Sequence, residues 1–431
     1  MLLAQVTGGK ERNKGIGMHH RILFLMSTLL VSFLASCTGN APAIEPPTTV
    51  MATPMSPMAT PQPTVTPSPS PSPAPATATP TAVHSQSEQI RRETSPNGQW
   101  IAIIDEAAGS LALEGPDGDT SNVFLEGSTV SAVKWSPDGK HLLIERTNWL
   151  PPQEGRPRAS GPPEIWGVRI EDGFVEPAVL LFRPDAEEVE EQSLGALSEI
   201  VFGRWAPDDQ HILLWVGASG SIRADGNAPW VLNVTTGDAV RPADWSLVNP
   251  RYYSWAPDSS ALAITVGGGR SAQFNKWLNI VNLDSGDVTT VVSNTEQVPG
   301  IVAWSPKGDL IAYAAVPAEQ TDRDSCCPIN FKNPAIAARR VYLLNPETGK
   351  YRRLNRIDAY QDTPIWSEDG ERLHYVQWEP AAETIVLMAA DPVTGEAQPI
   401  EESRQPAPLD TLVGYYGQAR WDEVLYYVPD M

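Results

Sequence analysis

A tryptophan, a Ser-Pro-Asp-Gly turn or a close variant of it, and then a short apolar run recur along this chain at intervals of roughly 50 to 70 residues. Residues 133–146 read VKWSPDGKHLLIER, and the copies are GRWAPDDQHILLWV from Gly203, YSWAPDSSALAITV from Tyr253, VAWSPKGDLIAYAA from Val302 and PIWSEDGERLHYVQ from Pro364. A weaker copy, TSPNGQWIAII, begins at Thr94. A repeat of this length is one supersecondary unit that cannot bury its apolar surface alone, so successive units must stack on one another.

The repeat has a physical reading. Proline sets φ at the second turn position and glycine accepts the left-handed one, which reverses the chain between two antiparallel strands. The strand after the turn is continuously apolar instead of alternating, as in HILLWV and ALAITV, and such a strand is covered on both faces. A second apolar strand and a second turn follow each copy: VRIEDGF, VLNVTTGD, IVNLDSGD, YLLNPETGK and MAADPVTGE. Strand, turn, strand, loop, strand, turn, strand makes a four-stranded antiparallel unit. Units of this kind are the blades of an all-β propeller. Trp135, Trp205, Trp255, Trp304 and Trp366 hold equivalent positions and are expected between blades.

These motifs resemble the TolB-like or WD40-like propeller repeat, over Arg92 to Tyr427. Six units are complete, and RWDEVLYYV from Arg420 reads as a shortened seventh. Seven blades are therefore expected, with six as the alternative. Closing the ring would remove exposed strand edges.

Composition agrees with short strands and many turns: the chain has 41 prolines, 32 glycines and 14 tryptophans in 431 residues. The formal charge of -21 repels nucleic acid, whose binding is dominated by phosphate neutralisation. No nucleic-acid partner is expected.

The N-terminal region carries a different message. Met18-His19-His20-Arg21 precedes an apolar run from Ile22 to Ala35, too short to cross roughly 30 Å of hydrocarbon but suited to a signal peptide. Either Met1 or Met18 serves as its start. Leu34-Ala35-Ser36-Cys37 resembles the bacterial lipobox, which implies removal of residues 1–36 and lipidation of Cys37. From residue 41 to 83 the chain is Pro, Thr, Ser and Ala with one charge, Glu45. Such a segment buries no core and favours extended polyproline II, giving a stalk of at most about 130 Å at ~3.1 Å per residue. The expected organisation is thus a signal peptide (1–36), a lipidated cysteine and linker (37–91) and a propeller (92–431).

Chemistry-bearing motifs are sparse. Gly267 to Ala272 fits G-x-G-x-x-A but is followed by no helix, so a hairpin loop is expected there instead of a dinucleotide site. No G-x-S-x-G elbow accompanies the propeller. The histidines lack metal or catalytic spacing, and no cofactor or metal is expected. Cys326 and Cys327 are adjacent in an exported chain, which leaves free thiols, a strained vicinal disulfide or a soft-metal site open.

Strand order places both turn types of a unit at one end of the blades. The connections at the other end are long, and function concentrates on long loops carried by a rigid scaffold. Eight basic residues lie in four of them: Arg156, Arg158, Arg223, Arg270, Lys276, Arg323, Lys332 and Arg339. With Trp149, Phe274 and Phe331 they define a candidate binding face. The expectation is a monomeric, lipid-anchored, extracytoplasmic and non-enzymatic propeller that binds an envelope protein or polymer. The alternative is an enzyme, a lyase or hydrolase, with its site in the central funnel.

Overall fold

The computed structural model describes residues 90–124, 129–149, 160–185, 198–320, 337–379 and 382–407. All of them belong to the second of the chain's two compact units, Thr81–Met431. Their regular structure is strand, with short helical turns only.

The first sheet consists of β1 (Ile90–Thr94), β2 (Ile101–Asp105), β3 (Ser110–Glu114) and β4 (Thr120–Phe124). The second has five strands, β5 (Thr129–Trp135), β6 (His141–Trp149), β7 (Ser160–Glu171), β8 (Phe174–Val175) and β9 (Val179–Phe182). The third holds β10 (Ser198–Trp205), β11 (His211–Ala218), β12 (Ala228–Asn233) and β13 (Ala239–Val240). The fourth holds β14 (Tyr253–Trp255), β15 (Ala261–Val266), β16 (Trp277–Asn282) and β17 (Val288–Val292). The fifth holds β18 (Gln297–Trp304), β19 (Ile311–Pro317), β20 (Arg340–Leu344) and β21 (Tyr351–Arg353). The sixth holds β22 (Tyr360–Trp366), β23 (Leu373–Glu379), β24 (Thr384–Ala390) and β25 (Ala397–Pro406).

Every sheet is an antiparallel meander in chain order, so the four-stranded unit read from the repeat is the unit of the fold. The second sheet departs from it because Glu176–Ala178 divides the outer strand. β8 and β9 both pair with β7 on either side of this interruption, where Pro177 has no N–H to give to the ladder.

The recurring turn is held by its own side chains. In the second sheet Ser136 Oγ donates to Asp138 Oδ1 at 2.6 Å, the same oxygen accepts Lys140 N–H at 2.9 Å, and Ser136 Oγ accepts His141 N–H at 2.9 Å. Gly139 closes the turn at φ 72°. Asp209 and Ser259 take the glycine position in the next two copies and still adopt φ 57° and 59°, so the turn geometry outlasts the residue best suited to it.

Packing follows chain order. One apolar cluster joins Ile104 and Leu113 of the first sheet to Leu142 and Ile144 of the second. Others join Leu143 to Leu214, Leu213 to Ile264, Ala263 to Tyr313, and Ala312 to Tyr375. Each intermediate sheet is thus covered on both faces, as its unbroken apolar second strand requires: β15 is buried at all six positions. The first strands are neighbours as well, β14 against β18 and β18 against β22. Successive antiparallel sheets, stacked face to face with their first strands gathered together, form a β-propeller. Six blades lie among the described residues; the segment from Arg420, expected as part of a seventh, lies outside them.

Two sets of side chains bolt the blades together. Trp135 Nε1 donates to the Glu93 carbonyl at 3.1 Å, Trp255 Nε1 to that of Arg204 at 3.2 Å and Trp366 Nε1 to that of Ala303 at 3.1 Å. In each case the acceptor is at the same position of the preceding repeat. Trp304 instead donates to Gly308 in its own turn, at 3.2 Å. Forward bolts leave the second strands: Glu145 Oε1 accepts Ile200 N–H at 3.0 Å, and Thr265 Oγ1 donates to the Gly300 carbonyl at 2.7 Å.

Candidate functional site

The first strands of the third to sixth blades surround a recess of about 570 Å³, within the ~300–1,000 Å³ typical of ligand sites. Ile301, Val302 and Ile365 give it an apolar wall, with Trp304 and Trp366 at its turn end, and Arg204 and Arg251 add two cationic groups. An adjoining recess of about 470 Å³ shares Arg204 and Ser254 and reaches Trp205, Trp255 and the turn prolines Pro137 and Pro207. Two of the tryptophans that bolt the blades, Trp255 and Trp366, therefore also shape this end of the recess. Trp255 and Trp304 are only half-buried, unlike Trp135, Trp205 and Trp366.

Arg204 is held rigidly. Its guanidinium lies 5.0 Å from the Tyr253 ring centroid and donates to the carbonyls of Pro250 at 2.8 Å and Tyr253 at 3.1 Å. Its own N–H donates to Tyr253 Oη at 2.5 Å. A cation fixed over an aromatic face in a strongly acidic protein favours anionic or polarised groups at that point.

Toward the long-loop end the polar groups are buried and mostly bonded to one another, with Thr363 Oγ1 left without a partner among the described residues. Tyr360 Oη and Thr363 N–H donate to the two carboxylate oxygens of Asp362 at 2.5 and 2.8 Å. Arg339 Nη1 lies 4.0 Å from Asp362 Oδ1, and its Nη2 reaches the Ala272 carbonyl at 3.3 Å and Gln273 Oε1 at 3.1 Å. These contacts tie the fourth, fifth and sixth blades together. A buried pair of this kind is costly to break from one side.

The long-loop face is less cationic than its sequence suggests. Arg223 pairs with Glu199 at 3.0 Å. Arg270 grips Asp225 with Nε–Oδ1 at 2.7 Å and Nη2–Oδ2 at 2.8 Å. Phe274 is half-buried. Lys276, grouped by sequence with the exposed loop cations, is fully buried: Nζ donates to the carbonyls of Gly268, Gly269 and Phe274 at 2.9, 3.1 and 3.3 Å. Burial without a counter-ion pulls its pKa down to about 7. Arg339 is likewise buried. Lys276 folds under because its own loop supplies three carbonyl acceptors, whereas Arg339 is held by acceptors from neighbouring elements: the Ala272 carbonyl and Gln273 Oε1 of the fourth blade and the Asp362 carboxylate of the sixth.

Residues 267–276 form the β15–β16 connection, a hairpin loop as expected from the absence of a following helix. The backbone of Trp149 closes β6 opposite Ser160, and its side chain lies outside the described part. Arg156, Arg158, Arg323, Phe331, Cys37, Cys326 and Cys327 lie outside the described residues. Among the described residues no group of three or more His, Cys, Asp and Glu is placed to hold a metal ion.

Glu145 went unremarked in the sequence, where it closes an apolar run like an ordinary surface charge. It is buried, and burial raises its carboxyl to about 7, with the neighbouring charge of Glu199 adding to the rise and the Ile200 N–H opposing it. The available signal is its repeat position, which matches Thr265, the other forward bolt.

The fold and the recess define a β-propeller protein. No family model matches the chain, and no curated protein does. Among solved structures it is similar to TolB from Acinetobacter baumannii, at 16% identity over 72% of this chain and 63% of that one, TM-score 0.30. The chain thus spans less than two thirds of that TolB. It is also similar to Porphyromonas gingivalis dipeptidyl peptidase 4, at 12% identity over 74% of this chain and 46% of that one, TM-score 0.42. The Dos1 propeller is a third, at 10% identity over 71% and 68%, TM-score 0.38. Likeness at this level carries no argument about function.

Proposed function

We propose that this chain is a lipid-anchored, extracytoplasmic propeller that binds an envelope protein or polymer without chemical turnover, and that the ligand enters the recess between the inner strands. The observation that carries the reading is that recess: about 570 Å³, apolar-walled, with Arg204 at one side and tryptophans at its mouth. Anchoring rests on Leu34-Ala35-Ser36-Cys37 and the proline-rich linker. Rigid aromatic and arginine side chains are the residues that dominate protein recognition.

The test is capture of envelope proteins and polymers by the acylated chain. Ile301→Arg with Ile365→Arg should abolish capture while melting stays within a few degrees of wild type. Substituting Arg156, Arg158, Arg270 and Arg323 by Ser should leave capture largely intact. Retained capture in the recess pair, with loss in the loop set, would move the site to the long-loop face. Cys37→Ser should release the protein from the membrane fraction, and continued association would refute the anchor.

A second reading is an enzyme, a lyase or hydrolase, working in the same funnel. It draws on the convergence of Arg339, Tyr360 and Asp362 from two blades. Under it, Asp362→Asn would preserve ligand capture and abolish turnover of the captured material.

A further inference from the structure

Lys350-Tyr351-Arg352-Arg353-Leu354-Asn355-Arg356 concentrates four cations in seven residues of a chain with formal charge -21. It spans β21 and the start of the connection to β22. There it borders a recess of about 550 Å³, separate from the inner strands, lined by Arg352, Arg353, Asn355, Arg356, Thr394 and Glu396.

Most described arginines have found a carboxylate: Arg92 pairs with Glu114, Arg183 with Glu164, Arg270 with Asp225 and Arg340 with Asp358. Among the described residues, none of the three arginines of this recess is paired with a carboxylate. Arg352 donates to the backbone carbonyls of Pro392 and Val393, and Arg353 to that of Ile357. Arg352 and Arg356 are exposed. Against three guanidinium groups the lining sets one carboxylate, Glu396, so two positive charges are in excess. Burial lowers the pKa of Arg353, the nearby Arg340 guanidinium adds to that effect, and Tyr342 and Asp358 oppose it.

The cluster is built, not merely gathered. Asn355 Nδ2 donates to Tyr375 Oη at 2.9 Å, while its Oδ1 accepts Gln361 Nε2 at 2.9 Å and Ile357 N–H at 3.1 Å. On the other wall, the sixth blade's outer turn presses against the connection so closely that a Cβ on Gly395 would meet the Leu354 carbonyl at 2.3 Å. The backbone carrying Arg356 is therefore held in place before any ligand arrives.

We propose that this recess binds a phosphate group carried by a compact molecule. Guanidinium forks match phosphate oxygens bidentately and form the stronger, charge-assisted hydrogen bonds. The size of the recess suits a small ligand, whereas the acidic body around it repels an extended polyanion. A soluble phosphorylated molecule and a lipid headgroup present the same chemistry.

Titration calorimetry of the full chain with pyrophosphate at low ionic strength tests the soluble source. Sedimentation with phosphatidylglycerol vesicles, using the Cys37→Ser chain so that no acyl anchor contributes, tests the lipid source. Binding to either probe should weaken at least about tenfold in Arg352→Gln with Arg356→Gln, two exposed positions, with melting unchanged. Lys134→Gln with Lys140→Gln, on another blade, should change it less than twofold. Binding of neither probe by wild type overturns the proposal. Equal binding by the arginine variant, or equal weakening in the lysine control, overturns it too.

Discussion

Glu145→Gln removes one ionisable group from the interface between the second and third blades while keeping an oxygen to accept Ile200 N–H. Glu145 has a folded-state pKa raised from 4.5 to about 7, first by burial. A carboxyl of this kind binds a proton more tightly in the folded chain than in the unfolded one. Between pH 4.5 and 7 the folded state holds the extra proton, so stability falls as pH rises through that window. The whole penalty is present above pH 7 and absent below about 4.5, and it amounts to about 3 kcal/mol. Urea denaturation of wild type and variant at a series of pH values from 4 to 8 isolates the effect. His141 and His374, whose pKa values burial lowers, change stability in the opposite direction, but they do so equally in both proteins. The difference between the two unfolding free energies should grow by about 3 kcal/mol in favour of Glu145→Gln from pH 4.5 to 8. A difference independent of pH would refute the reasoning, since it would mean that Glu145 keeps water or a cation beside it.

Trp366→Ala should destabilise the propeller by about 3 to 5 kcal/mol in the same assay, because the indole is buried and bonded to the preceding blade; Trp366→Phe should lose less than half of that. Trp255→Ala should cost less than Trp366→Ala, since Trp255 is half-exposed. Gly395→Val should lower the melting temperature, through the positive φ of 77° and the close Leu354 carbonyl, whereas Gly173→Val, with φ 80° but open space around it, should cost less; equal losses would show that the contact is irrelevant.

What was legible in the sequence is what the repeat writes locally. Ser136, Asp138 and Gly139 specify a turn through bonds that span five residues, and HILLWV declares a strand covered on both sides. Both carry over into a stack of meandering sheets. Glu145 was illegible because a charge at the end of an apolar run looks solvated until the next blade is placed against it. Lys276 and Arg339 misled for a related reason: a cation in a long loop reads as exposed, yet the carbonyls of its own loop bury Lys276, and Ala272, Gln273 and Asp362 of the neighbouring blades bury Arg339. The inner recess has no motif of its own because its lining is assembled from short stretches of four blades, and the tryptophans among them already read as part of the repeat. Arg352, Arg353 and Arg356 are visible as a run, but only the fold shows that no carboxylate reaches them among the described residues.

The bolts between blades end on main-chain atoms. Glu93, Arg204 and Ala303 supply carbonyls to the tryptophans, Gly300 supplies one to Thr265, and Ile200 supplies an amide to Glu145. Five residue types, from glycine to arginine, serve equally as anchor points because the side chain takes no part in the bond. The anchor positions stand on or beside the inner strands, so mutation can rewrite what those strands show a ligand without loosening the joints. A lineage built on this repeat is free to exchange one specificity for another by point substitutions along the inner strands, while the tryptophans and turns stay as they are.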